Sequence, residues 1–324
     1  MSSPSSLLIT TCLLVILCIT PHPSYAQEQN SHGALPRETS LWRGLQFTSS
    51  TLLAKLKVKI FLDSVTVETP FSSLAKDLPD DSTVNEHRMQ LTVDFAAQGA
   101  FLGETHYKES TIFNEENLLP YQRNRIMDNG TEKWAKVYFW QEKGVQRYRI
   151  MPANGKEKNL SPEKWTRKTA TFYPYPQQSI NCGTILDSSL LLYLLSNRTT
   201  AQNQEPFTIC VFGKKQLHRL SITLANSKPL SVSYRSRSAS QNITVKRETL
   251  PLVYDIAVET IPTANEEPET FSFVGLNNDI RIAMDRDTRL PLKIQGTNKS
   301  IGRLVLDLHE VSWGPGGELN QITD

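Results

Sequence analysis

Apolar and polar residues alternate with a period of two along most of this chain. Leu56, Val58, Ile60 and Leu62 alternate with lysines and an acid, and Met89, Leu91, Val93, Phe95 and Ala97 alternate with Gln90, Thr92, Asp94 and Ala96. Leu230, Val232 and Tyr234 repeat the pattern, as do Leu250, Leu252, Tyr254, Ile256 and Val258, and then Leu304, Leu306 and Leu308. Successive side chains of a strand point to opposite faces, so each run predicts a strand with one dry and one wet face. Turn residues separate the runs. Asp128-Asn129-Gly130 stands between 121–127 and 134–140, and Asn-Gly favours a hairpin because both residues tolerate positive φ. Glu142-Lys143-Gly144, Gly213-Lys214-Lys215 and Asn226-Ser227-Lys228-Pro229 mark further turns.

Two segments depart from the alternation. Asp187 or Ser188 is a good N-cap, and Leu190, Leu191, Leu192, Leu194 and Leu195 crowd behind it with too few β-branched residues for a strand. This predicts a short helix, apolar on most sides, that plugs or lids the sheet. Residues 41–55 are read as a second helix. The resulting fold class is all-β and mainly antiparallel. It is a strongly curved sheet or open barrel with one short apolar helix packed against it, in a single β-rich domain over residues 41–324.

The start of the chain follows another grammar. An apolar run over residues 7–20 is followed by Pro21 and Pro23, and Ser24 and Ala26 place small residues at the −3 and −1 positions. This predicts a secretory signal peptide over residues 1–26, cut after Ala26, although no Lys or Arg precedes the run. The run is shorter than the ~20 residues a spanning helix needs, so the chain is not expected to span a membrane once the leader is removed. Residues 27–40 are polar and expected to be flexible. Export places the protein in the periplasm, or outside the cell if the source is not a Gram-negative bacterium. About 300 residues then remain, enough for a substantial core.

Charge adds an exclusion. Lys and Arg number 35 and Asp and Glu 33, all in the mature part. So even a balance argues against nucleic acid, which calls for a basic face. Lys55, Lys57 and Lys59 are a local basic candidate, set against the plainer reading of a solvated strand face. Of four cysteines, Cys12 and Cys18 leave with the leader, and Leu17 before Cys18 is too large for a bacterial lipidation signal. Cys182 and Cys210 remain. In an exported chain a disulfide is the most economical reading, against two buried thiols or half a metal site.

Catalytic motifs are absent: no Gly-x-Ser-x-Gly, no His-Glu-x-x-His, no phosphate loop and no Gly-x-Gly-x-x-Gly after a strand. The mature histidines, His32, His87, His106, His218 and His309, keep no metal-ligand spacing. No metal and no cofactor are expected. His218 shares a face with Leu220, Ile222 and Leu224, which predicts an interior or rim residue. Asp307 and His309 share a strand face and are either a solvated pair or a weak acid–base candidate. Trp134, Tyr138 and Trp140 fall on one face of a strand whose other face carries Ala135, Val137 and Phe139. Such a strand is buried on both sides, or one face lines a cavity that takes an apolar ligand. Lys136 on the tryptophan face argues that this side is not fully dry.

The order of these features resembles that of the exported bacterial proteins grouped as domain of unknown function 3108. Leu119-Pro120 leads a strand, Asn129-Gly130-Thr131-Glu132 turns into the strand ending Phe139-Trp140, and Gly144-Val145 follows. The Asp187-led leucine and tyrosine helix comes next. Asp285 and Leu290-Pro291 then lead a late strand ahead of Ile301-Gly302. The turn Gln98 to Gly103 resembles the family's early hairpin. The likeness spans residues 89–313, while Cys182 and the insertion 265–270 depart from it. The resemblance implies a periplasmic all-β protein without an established activity, and it supplies no catalytic residues.

These readings converge on a non-catalytic envelope protein. The leading expectation is an apolar or lipid-like ligand held beside Trp134, Tyr138 and Trp140 and under Leu191, Leu194 and Leu195. The alternatives are a protein-interaction or scaffold module with an envelope protein partner, and an unrecognised envelope hydrolase.

Overall fold

The alternating runs become strands, and their registers settle which faces meet. The computed structural model describes residues 42–50, 54–65, 71, 74, 88–99, 103–129, 132–198, 205–263 and 267–314. The leader with its cleavage point after Ala26, the segment 27–40 and the tip of the Gly99 to Gly103 turn lie outside these residues. Seventeen strands form among the described residues. The first eight are β1 (Trp42–Ser50), β2 (Ala54–Ser64), β3 (Arg88–Gly99), β4 (Gly103–Asn114), β5 (Pro120–Asp128), β6 (Lys133–Gln141), β7 (Gly144–Met151) and β8 (Arg167–Pro174). A short β9 (Ile185–Asp187) leads through one 3-10 turn into helix α1 (Leu191–Ser196). The rest are β10 (Phe207–Phe212), β11 (Leu217–Ala225), β12 (Leu230–Arg237), β13 (Asn242–Thr249), β14 (Leu252–Thr260), β15 (Asn278–Met284), β16 (Pro291–Asn298) and β17 (Gly302–Trp313).

Strands β2 to β8 form an antiparallel meander in chain order. β1 lies between β2 and β17, so the first and last strands are neighbours. From β17 the ladder continues through β16, β15, β14, β11 and β10 to β9. The β12–β13 hairpin attaches to the far half of β17 by a parallel pairing. The result is one sheet, mostly antiparallel, with β8 and β9 at the two ends of its ladder. It is rolled so that β9 meets β5 across the interior.

The roll follows from where the apolar faces point. Phe47, Val58, Leu91, Phe113, Leu220, Ile282, Ile294 and Leu306 come from strands all round the sheet, yet they join one core. Helix α1 fills the middle of that core, with every residue from Leu190 to Ser196 buried. Six residues are too few to hold a helix in water, so packing holds this one. Burying each leucine is worth roughly 1.5–3 kcal/mol. The ends of the helix are also tied: Ser189 N donates to Asp187 Oδ1 at 2.8 Å, and Asn197 Nδ2 donates to Tyr193 O at 2.8 Å. Trp42 Nε1 donates to Ser196 Oγ at 3.1 Å, which anchors the helix to β1.

One expectation is corrected. Residues 41–55 are not a helix; they are β1 and the start of β2. The pairing of β1 with β17 slips between Trp42 and Gly44 and again between Gln46 and Phe47. The first bulge adds its residue to β1 and breaks the period of two there, and the second adds its residue to β17. Trp42 and Leu45 thereby share the dry side at a spacing of three, which imitates a helix.

Cys182 and Cys210 form a disulfide, with Cα atoms 5.4 Å apart and a sequence separation of 28. It sits beside the parallel pairing of β9 with β10 and encloses α1 in its loop. Replacing both cysteines by alanine is expected to lower the unfolding free energy by about 3–4 kcal/mol on the chain-entropy model. A urea midpoint equal to that of the parent would show that the cross-link does not hold this end of the sheet.

Candidate functional site

Arg123 on β5 points inward and is buried. Its Nη1 donates to Asp187 Oδ2 at 2.8 Å and to Phe212 O at 3.4 Å, and its Nη2 donates to Gly213 O at 2.5 Å. The guanidinium lies over the Tyr138 ring, 4.1 Å from its centroid, and 5.5 Å from that of Trp140. Burial works against the charge, but Asp187 and Glu109 outweigh it and raise the Arg123 pKa above its ordinary value. Asp187 therefore has two tasks: it caps the turn into α1 and it neutralises a cation from the opposite wall. A recess of about 40 Å³ opens beside this pair, lined in part by Glu109, Arg125, Ser188, Ser189, Lys214 and Glu269. Glu269 is held by the β10–β11 turn, accepting from the backbone N–H groups of Lys214, Lys215 and Gln216. Burial raises the Glu109 carboxyl above the usual carboxylate range, against the pull of Arg125 and Arg123.

Strand register extends this site along one face. Arg125 is directly opposite Lys136, and Lys136 is directly opposite Arg149; in the next row Arg123, Tyr138 and Arg147 stand abreast. The Lys136 ammonium lies 4.2 Å from the Trp134 ring centroid. Burial, followed by Arg125, Arg147, Arg149 and Lys214, lowers the Lys136 pKa to about 8. The reverse face of β6 is covered too. Ala135, Val137 and Phe139 pack with Phe71, Ile150 and Trp165 in a separate apolar cluster. Strand β6 is thus buried on both sides, with its tryptophan face looking into the rolled sheet.

The residues singled out from the sequence do not share one place. Tyr138 is packed with Cys182, Cys210 and Phe212, with Trp140 against them. Leu191, Leu194 and Leu195 belong to the main core around α1. Trp134 is buried at the other end of its strand, against Lys136. His218 is interior, with Nδ1 3.1 Å from Thr260 Oγ1. Asp307 pairs with Lys293 at 3.1 Å, and His309 Nε2 lies 3.3 Å from Arg235 Nη2. Lys55 and Lys57 are exposed on the wet face of β2. A second, open recess of about 640 Å³ lies among Asp255, Arg281, Gln295, Thr297 and Arg303. Among the described residues no group of His, Cys, Asp or Glu could hold a metal ion. No helix among them is long and apolar enough to cross a membrane.

Sequence reasoning passed over Arg123, Arg125, Arg147 and Arg149. The available signal was their alternation within β5 and β7. Only the register with β6 lines them up beside the aromatic residues already noted.

No family model matches this chain, and no curated protein matches it. Its structure is similar to the crystal structure of a β-barrel-like protein of domain of unknown function DUF1849 from Brucella abortus. That similarity has a TM-score of 0.38 at 5% sequence identity and covers 85% of this chain and 99% of the other.

Removing one partner of the buried pair leaves the other charged and unpaired. Asp187→Ala is expected to destabilise the protein by about 3–5 kcal/mol in urea unfolding. Joint replacement of Arg123 by Met and Asp187 by Asn is expected to be milder than that single change. Equal stability of Asp187→Ala and the parent would remove the pair from its structural role.

Proposed function

We propose that this is an exported, non-catalytic envelope protein that binds an amphiphilic, lipid-like molecule at the inner face of β6. The observation that carries the reading is the contrast between two parts of the interior. Around α1 the space is filled by leucines, so a ligand there would have to displace the helix. On the face of Trp134, Tyr138 and Trp140, aromatic rings stand beside cations, and Tyr138 Oη and Trp140 Nε1 are buried with no hydrogen-bond partner among the described residues. Buried polar groups are nearly always satisfied, and aromatic walls with a few polar groups are the usual lining of a small-molecule site. On this reading the leucine helix is the floor that keeps the site shallow. The disulfide supports an oxidising compartment, hence the periplasm. The ordered motifs that resemble domain of unknown function 3108 belong to the same reading. The non-catalytic part rests on the empty motif search and on Asp307 and His309 turning to separate cationic partners.

A protein-interaction module is the second reading. It is supported by Phe172 on β8, which is exposed at one end of the ladder.

Titration with single-chain amphiphiles carrying neutral, zwitterionic and anionic heads checks the proposal. Tryptophan fluorescence is expected to shift and the melting temperature to rise, and Trp140→Phe is expected to remove most of the fluorescence change. Fluorescence and melting temperature unmoved by every member of the series would overturn the binding reading.

A further inference from the structure

We infer that the cationic half of this face is a binding site for an oxyanion group, a phosphate or sulfate, gripped by Arg125, Lys136, Arg147 and Arg149. The inference deepens the proposed function by naming the charged part of the ligand, and it rests on that reading only for the ligand's apolar part.

Three observations carry it. The first is the packing of like charges. Arg125, Lys136 and Arg149 stand directly opposite one another across three adjacent strands, an arrangement that destabilises a sheet unless something compensates. Lys214 adds a further cation from the turn on the opposite wall, close enough to act on Lys136.

The second observation is where the nearby acids are engaged. Asp187 is bonded to Arg123 at 2.8 Å, and Glu269 is held by three backbone N–H groups. Glu132 reaches Arg149 only at 3.5 Å, with more than half of its side chain exposed. Glu109 lies 3.4 Å from Arg125, and burial favours its neutral form. Glu109 and Glu132 are the carboxylates beside these cations that repel an anion while ionised. Among the described residues Lys136 and Arg147 pair with no carboxylate; Arg147 Nη2 donates to Thr171 Oγ1 at 3.3 Å and its guanidinium lies over Tyr173.

The third observation is the direction of unmet hydrogen bonding. The Nε atoms of Arg123, Arg147 and Arg149 are all buried and have no acceptor among the described residues, while Arg125 Nε faces only Glu109 Oε2 at 3.4 Å. Together with Trp140 Nε1 they form a set of N–H donors concentrated on one face. A ligand that answers donors alone is rich in acceptor oxygens, and guanidinium groups match the oxygens of phosphate and sulfate in pairs. Such a group could belong to a lipid head or be a free ion, and the chemistry at the protein is the same.

Calorimetric titration of the mature protein with inorganic phosphate, sulfate and a short-chain phosphatidic acid below its micelle concentration tests the inference. Saturable binding of phosphate or sulfate is expected, weakened about tenfold or more by Lys136→Gln and by Arg147→Gln. Lys57→Gln, on the wet face of β2, is expected to change nothing. Tighter binding of phosphatidic acid than of phosphate would identify a lipid head as the source, and equal binding a free ion. Lys136→Gln removes no hydrogen bond seen within the protein, so it serves even if Arg147→Gln fails to fold. Sulfate keeps its charge between pH 7 and 10, so its affinity is expected to fall as pH rises through about 8 and Lys136 loses its proton. Burial of Lys136, followed by Arg125, Arg147, Arg149 and Lys214, which face it, sets this step, and Lys136→Gln is expected to lack it. No saturable binding of any of the three anions, or binding unaltered in both variants, would overturn the inference. Fluorescence changes with neutral amphiphiles and no anion binding would overturn it while leaving the proposed function standing. Phosphate binding without any amphiphile response would do the reverse.

Discussion

A sheet rolled around one apolar core still has to have its two end walls set against each other in one way, and here the ion pair of Arg123 with Asp187 sets them. The two residues come from the walls that meet, β5 and β9, and both are buried. As a source of stability such a pair is weak, because desolvating both charges offsets most of their attraction. Its effect is on geometry. Three oxygens receive the guanidinium, and two aromatic rings bracket it, so the walls fit together in one way. The Cys182–Cys210 disulfide fixes the same corner from the other side of β9. Everything on the inner face of β6 inherits its position from these two ties.

The interior divides accordingly. Away from the pair the sheet closes on hydrocarbon, and the leucines of α1 take the space that an empty barrel would offer to a ligand. Next to the pair, the polar residues of β4 and β5 and the cations of β6 and β7 replace the hydrocarbon. This change of lining within one face, from Leu91 and Val93 on β3 through Thr111 and Glu109 on β4 to Arg123 and Arg125 on β5, is what separates a packed core from a place able to hold a charged molecule. Residues directly opposite in register make that gradient continuous.

Much of the architecture could be read from local alternation, because a strand with one dry face declares itself within six or seven residues. Strands β2, β3 and β17 did so, with Leu56 to Leu62, Met89 to Ala97 and Leu304 to Leu308 all turned inward. Asp187 could be read as a helix cap for the same reason, since its partner Ser189 is two residues away. Its second partner, Arg123, is 64 positions distant, and nothing local points to it. The candidate site was legible only in its aromatic half. A tryptophan on an alternating strand draws attention alone, whereas Arg125, Lys136 and Arg149 become one feature only after three strands are placed in register. β1 misled for the opposite reason: the bulge at its start broke the alternation that reveals other strands.

The place of β17 has a consequence for how the chain reaches this form. It is the last of the described strands in chain order, yet it borders β1, β16 and β12 at once. Until it arrives, β1 has a partner on one side only, and the halves of the molecule built from β2–β8 and from β10–β16 have no connection through the ladder. Pairing across nearly the whole chain is slow, because a long loop must close before its contacts repay the lost entropy. Meanwhile the open strand edges are ready to pair with another molecule. The fold is therefore loose for as long as β17 is unplaced, and its arrival is the step that joins the two halves.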